Sequence, residues 1–443
     1  MLREGRRLFG TDGIRGVANT ELTPEFVMAL ARAAGEALAH GPVLVGRDTR
    51  RSGEMLSSAL QAGFHSVGID TVDVGVLPSG GVSYLTGSSG AVMGAIVSAS
   101  HNPASDNGIK LLGSTGAKLT DADEDGIEAR LRSGHPFNVA IGDAVGTRFQ
   151  KAEAQAEYLD FLAGLAEYSF RGIQVVLDCA NGAAYKTAPA LFERLKADVT
   201  ILAADPNGIN INDGVGATSP AFLAKESRGR LGLAFDGDAD RLIAVDEEGV
   251  VANGDVIMAI IARHLHARDR LKNNIVVATV MSNLGFRKSI ESMGITLIQT
   301  QVGDRYVLEG LREHDAAFGG EQSGHVIFLK DLVTGDGLLT ALRLVEVVAA
   351  SGRRLADLRK EVITEYPQIL RNVRVNDTSR LESAEAIWAA VERAEAELEG
   401  DGRILVRASG TEPLVRVMVE APTKEKAAAI TEVLIGIVRA ELT

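Results

Sequence analysis

The chain has 443 residues, 46% of them apolar and 24% charged, with a formal net charge of −13. That length exceeds one ordinary hydrophobic core, so two to four domains are expected, and the composition excludes disordered and collagen-like classes. The negative balance, with no clustered Lys/Arg tract, leaves little to attract nucleic acid or an anionic membrane, so phosphate binding should be local. The one cysteine, Cys179, cannot form an internal disulfide. Arg3, Arg6 and Arg7 run into Gly10-Thr11-Asp12-Gly13, where a signal peptide would need an apolar stretch. The cytoplasm is the expected compartment. The longest aliphatic run, Val256 to Ala262, falls far short of the roughly 20 residues that span a bilayer, so no transmembrane segment is expected.

In chain order, the loop Phe9 to Gly16 precedes Thr23-Pro24-Glu25, an N-cap, N1 proline and first-turn acid that open a helix. Then come strand Val43 to Val45, helix Ser52 to about Val67, strand Ile69 to Val74 and strand Ala91 to Val97. The pattern recurs with Val175 to Asp178, helix Ala188 to Leu195, Val199 to Leu202 and Leu231 to Phe235. It recurs again with Ile275 to Thr279, helix Phe286 to Met293, Ile295 to Thr300 and Ala316-Ala317-Phe318. The last segment differs: strand Ile369 to Val375, acidic helix Leu381 to Leu398, strands Ile404 to Val406 and Val415 to Val419, and a helix capped by Thr423. The expected fold is α/β: three similar α/β domains with mixed sheets plus a smaller C-terminal α+β domain, around a central cleft. The expected boundaries are 1–150, 151–250, 251–365 and 366–443.

The third strand of each repeat runs into a polar loop. Ser98-Ala99-Ser100-His101-Asn102-Pro103, with Asp106 to Lys110 after it, sets a serine hydroxyl beside His101 and Lys110 at a strand exit; a plain polar turn is the rival reading. Asp236, Asp238 and Asp240 are carboxylates at alternate positions, suited to a hard cation such as magnesium. A calcium EF-hand would use Glu247 at its twelfth position, but Arg241 stands where glycine is required and Leu242 to Val245 reads as a strand. Gly319 to His325 offers Glu321, Gln322 and Ser323 among glycines, a set suited to sugar hydroxyls, or else a strand-capping turn. Arg407, Ser409, Gly410, Thr411 and Arg416 can encircle a phosphate. Arg15 and Arg47 to Arg50 add cations, with Arg47–Asp48 expected as a structural ion pair.

On these residues the chain resembles the α-phosphohexomutase superfamily over nearly its whole length, most closely its bacterial phosphoglucosamine mutase branch. The resemblance implies that Ser100 is the phosphoserine and a ligand, with Asp236, Asp238 and Asp240, of Mg2+. It implies substrate contacts from Arg241, Glu321, Ser323, Arg407, Ser409, Gly410, Thr411 and Arg416. Lys110, Arg15 and His101 are the implied proton-transfer or charge-stabilising groups, with Lys110 expected to have a lowered pKa among cations and His101 to orient the serine loop. One departure is Asn210 to Thr218, where many relatives end in Gly-Ser-Thr-His. It touches no implied catalytic role.

The implied reaction converts glucosamine 6-phosphate to glucosamine 1-phosphate through glucosamine 1,6-bisphosphate, feeding UDP-N-acetylglucosamine and cell-wall synthesis. The partner is a small-molecule sugar phosphate, and a homodimer is admitted. A mutase for glucose or mannose phosphates is the main competitor. A metal-dependent phosphatase would gain nothing from a second phosphate cradle, and a sugar-phosphate sensor would need neither Ser100 nor the acids.

Overall fold

The protein is described by a computed structural model covering residues 7–10, 12–38, 40–409 and 413–443. Its contacts divide it into two units: Met1–Met281 with Ile295–Glu361, and Ser282–Gly294 with Val362–Thr443.

The first unit opens with β1 (Ile14–Val17), α1 (Pro24–Leu38), β2 (Val43–Arg47), α2 (Gly53–Ser66), β3 (Thr71–Val76), α3 (Ser79–Ser88), β4 (Met93–Val97), β5 (Asp106–Gly113), α4 (Asp121–Arg132) and β6 (Arg148–Gln150). They form a sheet in the order β1-β5-β4-β2-β3-β6, parallel through β4-β2-β3-β6 and antiparallel at β5 and β1. Next come α5 (Ala154–Gly164), β7 (Gln174–Asp178), α6 (Ala184–Arg194), β8 (Asp198–Leu202), α7 (Pro220–Glu226), β9 (Leu231–Phe235), β10 (Leu242–Val245) and β11 (Val251–Ala252), with sheet order β11-β10-β9-β7-β8. The third set is α8 (Gly254–His266), β12 (Ile275–Thr279), β13 (Thr296–Thr300), α10 (Asp304–Glu313), β14 (Phe318–Gly320), β15 (Val326–Phe328), α11 (Gly337–Ser351) and α12 (Leu355–Val362), with order β13-β12-β14-β15; α9 (Leu284–Ser292) stands between β12 and β13 in the chain but is counted with the second unit.

One wiring is used three times. The first strand is central, flanked by the second and third in parallel, and the third turns back into an antiparallel neighbour: β4 into β5, β9 into β10, β14 into β15. The three polar loops are these hairpin connections, at the carboxyl ends of parallel strands where open α/β sheets bind ligands. The central strands β2, β7 and β12 are almost wholly buried, which is why they read as continuous aliphatic runs. In the first set Leu30, Val45, Phe64, Val97 and Ile109 share one core.

Several expectations need correcting. α3 lies between β3 and β4, which the sequence reading joined directly; three glycines and few strong helix formers in Ser79–Ser88 hide it. Packing overrides that weak propensity: Gly80 lies against Asp336 so closely that a Cβ would overlap its carboxylate. Asp106 to Lys110 belong to β5, not to a loop, and Gly319-Gly320 belong to β14. Ile14 to Gly16 form β1 against β5. The Tyr158 hydroxyl of α5 donates to Asp336 Oδ2 (2.6 Å), while Asp336 Oδ1 accepts Leu339 N–H and caps α11. One buried acid therefore ties segments of all three repeats together.

The second unit is the sheet β16 (Gln368–Arg374), β18 (Leu414–Glu420) and β17 (Arg403–Ala408), antiparallel throughout, with α13 (Glu385–Leu398) and α14 (Lys424–Leu442) packed on it. Thr423 Oγ accepts Lys426 N–H, the expected cap. Ala427, Leu434 and Val438 form the buried face of α14. Helix α9 belongs to this unit: buried Glu420 accepts Leu284 N–H (3.0 Å), Asn283 Nδ2 (3.2 Å) and Arg403 Nε (3.0 Å). Among the described residues, no helix is long and apolar enough to cross a membrane.

Candidate active site

Ser100 sits three residues past β4 in a left-handed conformation, φ 51°, and is fully buried rather than at the surface as a strand-exit hydroxyl would suggest. Its hydroxyl donates to Asp236 Oδ2 at 2.6 Å, and His101 Nδ1 lies 3.4 Å away. Burial first, then the charges of Arg241 and Arg15, push the His101 imidazole down to about 4, so it is neutral near pH 7. The expected Arg47–Asp48 pair does not form. Asp48 pairs with Arg50, whose guanidinium is fully buried, while Arg47 reaches Glu54.

Asp236, Asp238 and Asp240 form a buried cluster with one carboxylate oxygen each inside 4.8 Å of the others. Burial, then the charges of Asp240 and Asp238, push the Asp236 carboxyl well above the usual carboxylate range. Lys110, Arg241 and His325 face the cluster, yet two of its oxygens stay unmatched. Asp238 Oδ2 is occupied by Ser79 Oγ (2.7 Å) and Lys110 Nζ (2.8 Å), but Asp238 Oδ1 and Asp240 Oδ1 have no hydrogen-bond partner among the described residues. Orphaned buried carboxylate oxygens in an all-oxygen set fit a hard divalent cation. The EF-hand reading fails, because β10 follows at once and Glu247 accepts the Leu355 and Ala356 N–H groups at the start of α12.

Lys110 stands on β5, 2.9 Å from Asp12 Oδ2 and 3.5 Å from Asp240 Oδ2. Burial favours the neutral amine, but Asp12, Asp238 and Asp240 outweigh it and hold the ammonium firmly charged, contrary to the lowered pKa expected. The neighbours are carboxylates, not cations. Asp12 also takes Lys118 Nζ (2.6 Å) and the Arg15 guanidinium; Lys118 continues to Asp304 (2.6 Å), and His325 stands between Asp304 (3.7 Å) and Asp240 (3.6 Å). Asp240, Lys110, Asp12, Lys118, Asp304 and His325 thus close a ring of alternating acidic and basic side chains drawn from all three repeats. Sequence reasoning missed Lys118 and Asp304: Asp304 reads only as a first-turn helix acid, and Lys118 as a polar residue after a turn.

The third hairpin borders a cavity of about 560 Å³ whose walls include Arg241, Glu321, Gln322, Ser323, Asn253 and Thr279. Glu321 Oε1 accepts Gly303 N–H (3.1 Å), and Arg241 N–H reaches Asp236 Oδ1 (3.3 Å). Arg241 Nε and Ser323 Oγ are buried without hydrogen-bond partners among the described residues, the pattern of donors awaiting a polar ligand. Ala217, from the Asn210–Thr218 departure, also lines the cavity. Asn212 donates Nδ2 to Ser100 O (2.9 Å) and Asn102 O (3.2 Å), so that segment supports the serine loop.

In the second unit, Arg407 and Arg416 are direct cross-strand partners on β17 and β18. Like charges opposite each other destabilise a sheet, and burial together with Arg416 lowers the Arg407 pKa. Arg416 Nε and Ser409 Oγ are buried and unpartnered among the described residues, as in an anion site. Gly410 and Thr411 lie outside the described residues.

Four family descriptions match in succession, those of phosphoglucomutase/phosphomannomutase: alpha/beta/alpha domain I at 6–136, domain II at 156–249, domain III at 253–366 and the C-terminal domain at 370–436. The phosphoglucosamine mutase of Listeria monocytogenes is 48% identical over 98% of this chain and 99% of its own. A phosphoglucomutase/phosphomannomutase family protein from Burkholderia thailandensis matches with a TM-score of 0.81 at 25% identity, covering 98% of this chain and 97% of its own. The N-acetylphosphoglucosamine mutase of Aspergillus fumigatus, solved with GlcNAc-6P and magnesium, shares the fold at TM-score 0.72 and 18% identity, over 98% and 97% of the two chains. With every domain of the family present in order and close relatives spanning the full length, the chain belongs to the phosphoglucomutase/phosphomannomutase family, on its phosphoglucosamine mutase branch.

Proposed function

We propose that the protein is an isomerase that converts glucosamine 6-phosphate to glucosamine 1-phosphate through phosphorylated Ser100 and glucosamine 1,6-bisphosphate, supplying UDP-N-acetylglucosamine and cell-wall synthesis. The observation that carries the reading is Ser100 Oγ, hydrogen-bonded at 2.6 Å to one of three buried aspartates, the other two of which each keep an oxygen without a hydrogen-bond partner among the described residues. In this reading the phosphoryl group leaves Ser100 Oγ for a sugar hydroxyl oxygen, whose proton ends on Ser100 Oγ; the bisphosphate then returns its other phosphoryl group to that serine oxygen, and the proton goes to the sugar oxygen left behind. Asp236, Asp238 and Asp240 would hold Mg2+, which supplies charge stabilisation to the transferred phosphoryl group. Lys110, held charged by its carboxylate neighbours, and Arg15 add positive charge at the same place; neutral His101 orients the serine. Arg241, Glu321 and Ser323 bind the sugar from the cavity wall, and Arg407, Ser409, Gly410, Thr411 and Arg416 bind phosphate. The functional division 1–150, 151–250, 251–365 and 366–443 gives each α/β segment one hairpin loop.

The test is isomerisation of glucosamine, glucose and mannose phosphates by phosphorylated enzyme, followed by phosphorus NMR before and after chelation. Preferred turnover of glucosamine 6-phosphate, lost on chelation, restored by magnesium and requiring higher magnesium in Asp238→Asn, is expected. Preference for glucose or mannose phosphate would overturn the substrate assignment. Release of inorganic phosphate as the main product would make the protein a hydrolase.

A further inference from the structure

The Ser100 loop is built around a side chain outside the proposed chemistry. Arg50 follows β2, its guanidinium is fully buried, and all of its donors are used. Nε binds Asp48 Oδ2 (2.8 Å); Nη2 binds Ser100 O (2.9 Å) and Asn102 O (2.7 Å); Nη1 binds Asp106 O (3.1 Å) and Pro103 O. Four carbonyls of the connection from Ser100 to Asp106 therefore converge on one rigid fork. Asp48 completes the frame: its Oδ1 accepts Arg50 N–H (2.9 Å) and its Oδ2 accepts Ser98 Oγ–H (2.6 Å), and Ser98 Oγ in turn accepts Ser100 N–H (3.0 Å). The residue with left-handed φ is thus gripped at its own N–H and at its own carbonyl.

We propose that Arg50 is a positioning residue for phosphoryl transfer: its guanidinium holds Ser100 in the left-handed conformation that aims Oγ at Asp236. The inference rests on the mutase reading. Three features support a positioning role beyond packing. The charge serves no ligand, being spent on Asp48 and backbone carbonyls. The fork geometry is specific, because a lysine offers three donors from one point and cannot span four carbonyls. The held residue is the one whose backbone is strained, and such strain persists only where the surroundings over-determine it.

The experiment compares Arg50→Lys with Arg343→Lys in the phosphorylated full-length protein. Arg343 is a suitable control: another largely buried arginine, bound to Asp331 (2.8 Å), Glu346 (2.9 Å) and Leu165 O (3.2 Å), away from the serine loop. At a temperature where circular dichroism shows all proteins folded, Arg50→Lys should lose at least a hundredfold in kcat, since a misplacement of about 1 Å costs roughly that factor. Its KM for glucosamine 6-phosphate should stay within about threefold, because the cavity wall is untouched, and its phosphoserine phosphorus resonance should shift. Arg343→Lys should change thermal stability but neither kcat nor the resonance. If Arg50→Lys does not fold, Asp48→Asn decides: it loosens the same fork, so an intermediate kcat loss with the same resonance shift supports the proposal. Parent kcat and an unshifted resonance in whichever variant folds would overturn it. Absence of turnover in the parent protein would instead overturn the mutase reading.

Discussion

Replacing Ser100 by alanine and by glycine separates its chemistry from its conformation. Both variants lose the hydroxyl, so both leave Asp236 Oδ2 without its 2.6 Å donor, and that loss cancels in the comparison. What remains is the backbone. At φ 51° a residue with a Cβ bears about 1–2 kcal/mol of left-handed strain, which glycine escapes, while glycine's greater freedom in the unfolded chain returns about 0.5–1 kcal/mol. Ser100→Gly should therefore be at least as stable as Ser100→Ala, by up to about 1.5 kcal/mol. Trp388, the only tryptophan, lies in the C-terminal unit, so its fluorescence is the wrong probe. Hydrogen exchange of the amides of β4, β5 and their connection, read by mass spectrometry, reports the relevant opening free energy. Neither variant should carry phosphate in an intact-mass spectrum or turn over. A glycine variant less protected than the alanine variant would show that the left-handed turn stores no strain; normal turnover in either would remove Ser100 as the phosphoryl carrier.

Arg416→Ala should weaken binding of glucosamine 1,6-bisphosphate about ten- to a hundredfold, the range for a lost charge-assisted contact of about 1.5–3 kcal/mol. A single-turnover reaction with labelled glucosamine 6-phosphate should then release more free bisphosphate, and unchanged partitioning would remove Arg416 from phosphate binding. Asp336 gives a pH prediction: burial, opposed by the Tyr158 hydrogen bond, raises its carboxyl from 3.8 to about 6. The folded protein then binds the proton more tightly than the unfolded chain, so stability falls as pH rises from about 4 to 6, by on the order of 3 kcal/mol. Urea denaturation of Asp336→Asn should lack that component, and parallel stability–pH curves for variant and parent would refute it.

The sequence disclosed the repeat because the central strands are buried on both faces and read as aliphatic runs, and Thr423 marked the start of its helix by cap chemistry. It concealed α3, where the glycine at position 80 is dictated by the carboxylate of Asp336, far away in the chain. The candidate site divides similarly. Ser100 and the aspartates stand out because their chemistry is packed into short loops, and Glu321 and Ser323 share one hairpin. The charge of Lys110 could not be read, since its partners Asp12, Asp238 and Asp240 come from two stretches remote from it in the chain. Arg50 was visible as a cation, yet only the folded loop shows that it faces carbonyls.

The shared position of the three hairpins bears on how such a site originates. If one βαβ unit with a returning edge strand was duplicated twice, each copy arrived with a loop already at the same corner of its sheet. Divergence had only to rewrite a few residues in each: a hydroxyl in the first, carboxylates in the second, a mixed polar set in the third. Ancestral copies needed no new backbone to specialise. Superposing the three parallel cores should then bring 98–105, 236–241 and 321–325 onto a common path, as three pieces of one inherited corner given different tasks.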